Sequence, residues 1–397
     1  MRLKKIKLCF LFSVFFLSGC YNYHELSELS ITTAIGIDKS ENGYKLIAQV
    51  MNIQKKNSDA SSGGNTPEVI IYENEDKSLL NALRYIVLQA PKKLYPSHLD
   101  ILLISEDVAK EGLEDIFEFF FRDPNVRMQF NVLIAKGTTS EEVLETLTPG
   151  QTVSSKNIVD SQETDAKYLG TSQLITFEDL MDMYLNPNKE IIIPAAILNT
   201  KTSENNSIEN IEKANDNTKI ILDSTGVFKD SKLIGYINNE ESIYLNYIKG
   251  EVLGTLIICE CDKGNYLTSE VKNIKSTANF DKKEKKIVIE VSGDGNINEM
   301  NCYIDVEKDS GIEKIEKLVN DEVEKNINKF IRDSISKYNS DFFSFLDIIY
   351  KSNYTYYKTI KDNWYESGLK NLKFEVKSKI KITKKGNVLR DIYDKWK

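Results

Sequence analysis

Alternating apolar and polar positions predict a strand-rich start to the chain. Two such runs, at residues 30–38 and 44–52, flank a polar turn that ends in Gly43 and predict a β-hairpin. After the hairpin, segments with the helical spacing of apolar residues alternate with segments that have the spacing of strands. The pattern predicts helices at residues 78–89, 106–121, 140–147 and 176–185, and strands at residues 99–104, 127–135 and 191–193.

The middle of the chain begins with a polar stretch. Residues 199–217 are rich in Asn, Glu, Lys and Ser, which is typical of a linker or a long exposed loop. Shorter elements follow it. They are a hairpin at residues 219–228 and 232–236, a helix at 240–247, and strands at 252–261, 266–275 and 284–291.

The last third contains the two most regular patterns. Residues 311–338 repeat apolar positions with a 3.6-residue period, which predicts a long amphipathic helix, and residues 342–350 predict a second one. Residues 372–382 alternate between apolar and mostly Lys positions, with Ser378 as the one polar residue at an apolar position, as a strand with one buried face does. Because each element has one apolar face, we expect the long helix to cover the strand. Its most buried positions should be Val323, Ile327 and Phe330.

These elements predict an α+β fold, and their order fits the three consecutive mixed α/β domains that the family resemblance described at the end of this section implies. Each domain is expected to hold a mostly antiparallel or mixed sheet with packed helices. The 397-residue length is sufficient for two or three domains. The expected divisions are an N-terminal mixed α/β domain at 20–198, a linker and small middle domain at 199–265, and a C-terminal α+β domain at 266–397.

The first 19 residues have the layout of a secretory signal peptide. Four basic residues precede an apolar run at 8–17, which is too short to span a bilayer as a helix. The run ends in Leu17-Ser18-Gly19-Cys20, which resembles the bacterial lipobox. That resemblance implies that the Cys20 thiol carries diacylglycerol and that the leader is cut just before it. The alternatives are a plain secretory leader with a cysteine near the cut and a non-cleaved anchor.

The charge distribution argues against nucleic acid as a partner. The formal charge is −8, and since the leader carries four basic and no acidic residues, the mature chain is at −12. Acidic and basic residues are interleaved, whereas nucleic-acid binding needs a basic stripe.

Three cysteines remain after the leader and Cys20 are set aside. Cys259 and Cys261 lie two apart on a predicted strand and so should point to one face. We expect them to be small apolar core residues. A disulfide from either of them to Cys302 is the alternative, and the sequence does not decide between the two.

The sequence offers little material for catalysis or for metal and cofactor binding. Its two histidines are His24, just after the lipobox, and His98, for which a structural role is expected. Neither a Gly-rich phosphate loop nor a nucleotide-binding fingerprint is present in the sequence. We therefore expect the protein not to be an enzyme and to need no cofactor or metal.

An ordered set of short motifs resembles the Ger(x)C family of spore-germination lipoproteins. Near the start come Gly19-Cys20-Tyr21-Asn22, Glu25-Leu26-Ser27-Glu28-Leu29 and Ala34-Ile35-Gly36-Ile37-Asp38. Further matches are Ser97-His98-Leu99, residues 121–127, Gly226-Val227-Phe228-Lys229, Lys232-Leu233-Ile234-Gly235, Asp341-Phe342-Phe343-Ser344-Phe345 and Trp364. The chain departs from the family pattern in two places. Tyr21-Asn22 stands where Trp-Asp is usual, and Ser344 stands where Gly is common.

The resemblance implies a non-enzymatic subunit of a nutrient germinant receptor. Such a subunit sits on the outer face of the spore inner membrane through its lipid anchor. It works with an A-type and a B-type integral-membrane subunit, and its expected part is assembly and coupling. A solute-binding lipoprotein of a nutrient importer is the alternative. That class has two lobes of repeated βα units around a cleft, which the strand-rich second half does not favour.

Overall fold

The computed structural model describes residues 29–52, 67–123, 126–200, 204–215 and 217–386. Within them, the chain forms two β-sheets and eleven α-helices, so the predicted α+β fold class is confirmed. One continuous hydrophobic core runs between the two sheets and their helices. A smaller core fills the opposite face of the first sheet.

The first sheet is mixed and has nine strands. Its order is β3-β2-β1-β5-β6-β7-β8-β9, with β4 paired to the start of β1. Strands β1, β5, β6 and β7 are mutually parallel, and the remaining pairs along this order are antiparallel. The strands are β1 Leu29–Ser40, β2 Gly43–Met51, β3 Val69–Asp76, β4 Lys93–Tyr95, β5 Ile101–Ser105, β6 Asn131–Ala135, β7 Ile192–Leu198, β8 Ile220–Lys229 and β9 Lys232–Asn238.

Eight helices accompany the first sheet. They are α1 Leu79–Tyr85, α2 Glu106–Glu111, α3 Glu114–Arg122, α4 Ser140–Glu145, α5 Ser154–Tyr168, α6 Phe177–Leu185, α7 Ile208–Glu212 and α8 Asn239–Lys249. The 3₁₀ turns Ile86–Leu88 and Pro96–His98 follow α1 and precede β5. The single helix predicted at 106–121 is two helices. Gly112 separates them with a φ of 134°, a conformation that glycine adopts far more readily than other residues.

The second sheet has four strands and one long covering helix. Its order is β10 Gly254–Asp262, β11 Asn265–Asp281, β12 Lys286–Met300 and β13 Lys373–Lys384, with only the β12–β13 pair parallel. Helix α9, Asp309–Tyr338, buries Val323, Ile327 and Phe330, but these three are not its most buried positions as predicted, because Ile315, Val319 and Ile331 are fully enclosed. The chain continues through α10 Phe345–Ser352, α11 Tyr354–Ile360, a 3₁₀ turn at Lys361–Asn363 and a π-turn at Trp364–Gly368.

Polar residues of α9 also close the free edge of β13. The backbone N–H groups of alternate β13 residues donate to the side chains of Glu316, Asn320 and Glu324, at 2.7–2.9 Å. These three residues recur every four positions, so they form one row along the helix. An open strand edge invites pairing with other chains, and this row occupies it.

The sheets do not follow the predicted domain boundaries. Strands β8 and β9, predicted for a middle domain, extend the first sheet because β8 pairs with β7. The predicted boundary at residue 265 falls in the turn of the β10–β11 hairpin. The predicted linker at 199–217 contains α7, whose Asn210 is buried and donates to the carbonyl oxygens of Leu147 and Thr218. The described residues therefore form two sheets, whereas three domains with one sheet each were predicted.

Candidate functional site

Four parallel strands of the first sheet begin along one side, which we call the amino-terminal edge. Their first residues are Leu29, Ile101, Asn131 and Ile192. Leu29 is also the first described residue. Cys20, the predicted lipid-attachment residue, and His24 lie outside the described residues.

A groove of about 860 Å³ opens beside Leu29. Helices α1 and α3 form its two walls, and β4 contributes Leu94 to the apolar floor. Leu79 and Leu83 of α1 continue that floor. Helix α1 starts at this position because the Ser78 side chain caps it by accepting the backbone N–H of Asn81.

Two large apolar side chains project next to the groove. Leu88 is 81% exposed and ends the 3₁₀ turn after α1, and Phe121 is 59% exposed in the last turn of α3. Both lie at the amino-terminal edge. Leu88 is followed along the chain by β4, which pairs beside Leu29, and the end of α3 at Arg122 lies nine residues before Asn131, the first residue of β6.

The sequence analysis did not single out these two residues, although one signal was available. Three consecutive phenylalanines, Phe119 to Phe121, cannot all face one side of a helix, because successive residues are rotated by about 100°. In α1, the residues that face the core are Leu79, Ala82 and, just after it, Ile86. The apolar residues Leu80 and Val87 face outward, although apolar residues at helical spacing would be expected to face the core.

Basic side chains surround this part of the edge. Lys77, Arg84 and Lys93 line the groove, as does Arg122, which pairs with Glu118 of the same helix. Within the described part of the chain, neither Arg84 nor Lys93 forms an ion pair, and both are exposed. The groove therefore combines an apolar floor with a rim of mixed charge, because the carboxylates of Asp115, Glu118 and Asp123 line it beside these four basic residues.

Farther along the same edge, the loop before β7 binds the C-terminal helices. Asn186 donates to Asp347 of α10 at 3.1 Å, and the Tyr357 hydroxyl of α11 donates to Asn188 at 2.9 Å. Glu190 accepts the hydroxyl of Tyr365, and burial raises the pKa of the Glu190 carboxyl. These hydrogen bonds join the first sheet to the segment that precedes β13.

The Asp341-Phe342-Phe343-Ser344-Phe345 motif organises that segment. Asp341 is buried and accepts three N–H groups, from Phe345 at 3.0 Å, Leu346 at 2.8 Å and the Trp364 indole at 3.1 Å. Burial raises the pKa of Asp341 to about 7, although the three donors lower it. Ser344 has a φ of 66°, which explains why glycine is common at this position in the family that the motif resembles.

The Gly36-Ile37-Asp38 motif has a structural role as well. Asp38 accepts the backbone N–H groups of Ser140 at 2.7 Å and Glu141 at 3.2 Å, and so caps the start of α4. A Cβ atom on Gly36 would lie 2.4 Å from the Ser140 hydroxyl oxygen. Only glycine therefore lets α4 approach β1 this closely.

The remaining predicted residues are spread over the fold. Cys261 and Cys302 form a disulfide, while Cys259 is a free buried thiol. The expected core role therefore holds for Cys259, and the alternative, a disulfide to Cys302, holds for Cys261. His98 is exposed in the 3₁₀ turn before β5, and its ring centroid lies 6.2 Å from that of Tyr95. The described ranges contain no cluster of three or more His, Cys, Asp or Glu residues able to hold a metal ion. Nor do they contain a helix with the length and apolarity needed to cross a membrane.

Comparisons with known proteins agree over nearly the whole chain. Residues 22–198 match the family described as "Spore germination protein N-terminal domain". Residues 223–386 match "Spore germination B3/ GerAC like, C-terminal".

Relatives and a solved structure cover similar lengths. Spore germination protein KC of Bacillus subtilis (strain 168) is 26% identical over 389 residues, which is 95% of this chain and 94% of that protein. Spore germination protein B3 of the same organism is 25% identical over 278 residues, 67% of each chain. The crystal structure of the GerBC protein has a TM-score of 0.54 and 18% identity, and the match covers 88% of this chain and 96% of that one. The structural likeness supports the fold, and the two family matches assign this chain to the Ger(x)C family of spore germination proteins.

Proposed function

We propose that this protein is a membrane-anchored lipoprotein subunit of a spore germinant receptor and is required for nutrient-triggered germination. The observation that carries the proposal is the pair of family matches, at residues 22–198 and 223–386, in chain order. Relatives that are named as spore germination proteins match over most of their own length. The proposed function therefore rests on similarity along the whole chain and not on a single shared domain.

The proposed anchor is Cys20, at the end of Leu17-Ser18-Gly19-Cys20. Two or three acyl chains hold a protein stably on a bilayer, since each buried CH₂ contributes about 0.8 kcal/mol. We place the protein on the outer face of the cell membrane, which in the spore is the inner membrane. Cys20 lies nine residues before Leu29, the first described residue of β1.

The proposed activity is assembly and coupling with A-type and B-type integral-membrane subunits, without catalysis. The buried carboxylates of the fold support this proposal because they are engaged in structural hydrogen bonds. Asp341 accepts two backbone N–H groups and the Trp364 indole, and Asp38 caps a helix. His98 is exposed to solvent, and its ring contact is with Tyr95.

The test is Cys20→Ala in spores, with His24→Ala as the matched control a few residues beyond the lipobox. We expect Cys20→Ala to leave the membrane fraction and to slow nutrient-triggered germination, because the subunit loses its high local concentration at the membrane. His24→Ala should behave as the wild type. Mass spectrometry of the N-terminal peptide must show that the leader has been removed, since an uncleaved leader would itself retain the protein. A leaderless Cys20→Ala protein that stays on the membrane after a high-salt wash contradicts the anchor.

The groove supports a second candidate, direct binding of a small nutrient. Its volume of about 860 Å³ lies within the range of small-molecule sites, roughly 300–1,000 Å³. Isothermal titration of amino acids, sugars and nucleosides into the unlipidated chain distinguishes the two functions. Micromolar binding by this chain alone would favour a solute-binding lipoprotein. Binding only in the presence of the membrane subunits would favour the receptor subunit.

A further inference from the structure

We propose that the amino-terminal edge docks directly on an anionic lipid surface, with Leu88 and Phe121 inserted at the level of the headgroups. This inference rests on the proposed lipid anchor, and it adds a specific protein–lipid contact and an orientation of the domain. The contact surface consists of the residues at the end of α1 and its 3₁₀ turn, the start of β4 and the end of α3.

The apolar part of this surface is formed by two separate tips. Leu88 is 81% exposed and ends its 3₁₀ turn, and Phe121 is 59% exposed in the last turn of α3. Exposed leucine and aromatic side chains at the end of a helix are suited to the boundary between headgroups and acyl chains. Both side chains lie outside the core, so the fold itself does not explain them.

The charge of the surrounding segment fits an anionic partner. Residues 77–93 contain four basic and no acidic residues, in a chain whose net charge is −8. The four are Lys77, Arg84, Lys92 and Lys93, and the α1 helix lies within this segment with an apolar face toward the core. Only Arg84 of the four lies in the helix itself, but basic residues close to an anionic membrane surface each add about 1 kcal/mol of attraction. Arg122 adds a fifth cation beside Phe121, although Glu118 partly neutralises it.

The distance from the proposed anchor places this surface within reach of the bilayer. Nine Cα–Cα steps separate Cys20 from Leu29, and a fully extended chain spans at most about 3.6 Å per residue, or roughly 32 Å. Leu29 pairs with Lys93 in the β1–β4 register, so the basic segment lies directly beside the point of attachment. A weak contact with lipid becomes effective in this geometry because the tether makes it intramolecular.

The experiment uses the mature chain with Cys20→Ala, so that no acyl chain contributes, and vesicles free of other proteins. Co-sedimentation is measured with phosphatidylglycerol–phosphatidylethanolamine vesicles and with phosphatidylcholine vesicles, at low and high salt. We expect binding to the anionic vesicles only, weakened by salt because exposed charges are screened. Leu88→Ser with Phe121→Ser should reduce the partition coefficient by about tenfold or more. Arg84→Gln with Lys93→Gln should also reduce it.

Ile258→Ser is the matched control, because Ile258 is also 59% exposed but lies on the outer face of the second sheet. This variant should bind as the starting protein does, and circular dichroism should show all variants folded. Absence of binding to every protein-free vesicle overturns the proposal, as does an equal loss in Ile258→Ser. Binding only to vesicles that contain the integral-membrane subunits would make the surface a protein interface and also overturn it. None of these results depends on lipid attachment, so failure here is distinguishable from failure of the Cys20 anchor.

Discussion

Replacing Phe330 with alanine tests whether α9 is the main packing element of the C-terminal half. The Phe330 side chain is buried, and its ring centroid lies 5.5 Å from that of Phe343, edge to face, and 6.1 Å from that of Tyr244 in α8. The substitution removes these ring contacts and leaves a cavity between α8, α9 and the Phe342-Phe343 turn.

The expected cost is about 3–5 kcal/mol of unfolding free energy, as for other Phe→Ala changes in cores. That is a large share of the 5–15 kcal/mol by which a typical protein is stable. Lys329→Ala, one position earlier on the exposed side of α9, should change the unfolding free energy by no more than about 0.5 kcal/mol.

Urea denaturation of the unlipidated mature chain measures both effects. The fluorescence of Trp364, which is buried against Asp341, follows the unfolding of this region. A lower midpoint with an unchanged slope would attribute the effect to native-state stability. Equal midpoints for Phe330→Ala and Lys329→Ala would refute the packing argument and the assigned phase of the helix.

Three further predictions concern the same half of the chain. Because burial raises the folded-state pKa of Asp341 to about 7, above its unfolded value, stability is lost as pH rises from about 4 to about 7. Asparagine does not titrate, so the unfolding free energy of Asp341→Asn should rise relative to that of the wild type between pH 4 and pH 7, by up to about 4 kcal/mol. Denaturation measured at each pH tests this, and a relative fall would mean that the native carboxylate is ionised. Ser344→Gly should stabilise the protein by up to about 1 kcal/mol, because glycine adopts a φ of 66° without strain. The control, Ser336→Gly in the helical part of α9, should destabilise it by about 0.5 kcal/mol. Melting temperatures that shift in the same direction for both variants would contradict this prediction. Cys261→Ser with Cys302→Ser should lower the unfolding free energy by about 4 kcal/mol, because the disulfide spans 41 residues, and an unchanged urea midpoint would contradict that role.

Elements whose burial follows a simple period were predictable from the sequence. The 3.6-residue repeat of α9 and the alternation of β13 both place their apolar residues in the core, so their positions and partnership followed directly. The hairpin at β1 and β2 and that at β8 and β9 have polar turns between apolar runs and were also predicted.

Helix α5 was missed because its buried face is largely polar. Ser154, Ser155 and Gln162 face the interior together with Ile158 and Ala166, so the sequence has no apolar period there. Hydrogen bonds replace hydrophobic contact at Ser154 and Gln162. Ser154 donates to the Leu144 carbonyl oxygen, for example. Edge strand β3 was also missed, because the second half of its sequence is polar and only Val69 of its eight residues is fully buried.

The sheet boundaries and the disulfide could not be read from local patterns. The antiparallel pairing of β8 with β7 joins strands on either side of a polar stretch that is typical of a linker. The choice of Cys261 over Cys259 as the partner of Cys302 depends on which of the two lies within reach once β10 and β12 are paired through β11. Both facts arise from contacts between distant parts of the chain.

The exposed surface at the amino-terminal edge was only partly predictable. The basic residues at 77–93 are visible in the sequence, but the outward direction of Leu88 and Phe121 depends on how α1 and α3 sit on the sheet. The position of Leu29 beside this surface is likewise a property of the fold.

The most direct test of the proposed function is affinity purification of the lipidated protein from detergent-solubilised spore inner membranes. Partners are then identified by mass spectrometry, with membranes from the Cys20→Ala strain as the control. The proposal predicts that an A-type and a B-type germinant receptor subunit co-purify with the wild-type chain and are depleted in the control. Recovery of an importer permease and its ATPase instead, without either receptor subunit, would contradict the receptor assignment.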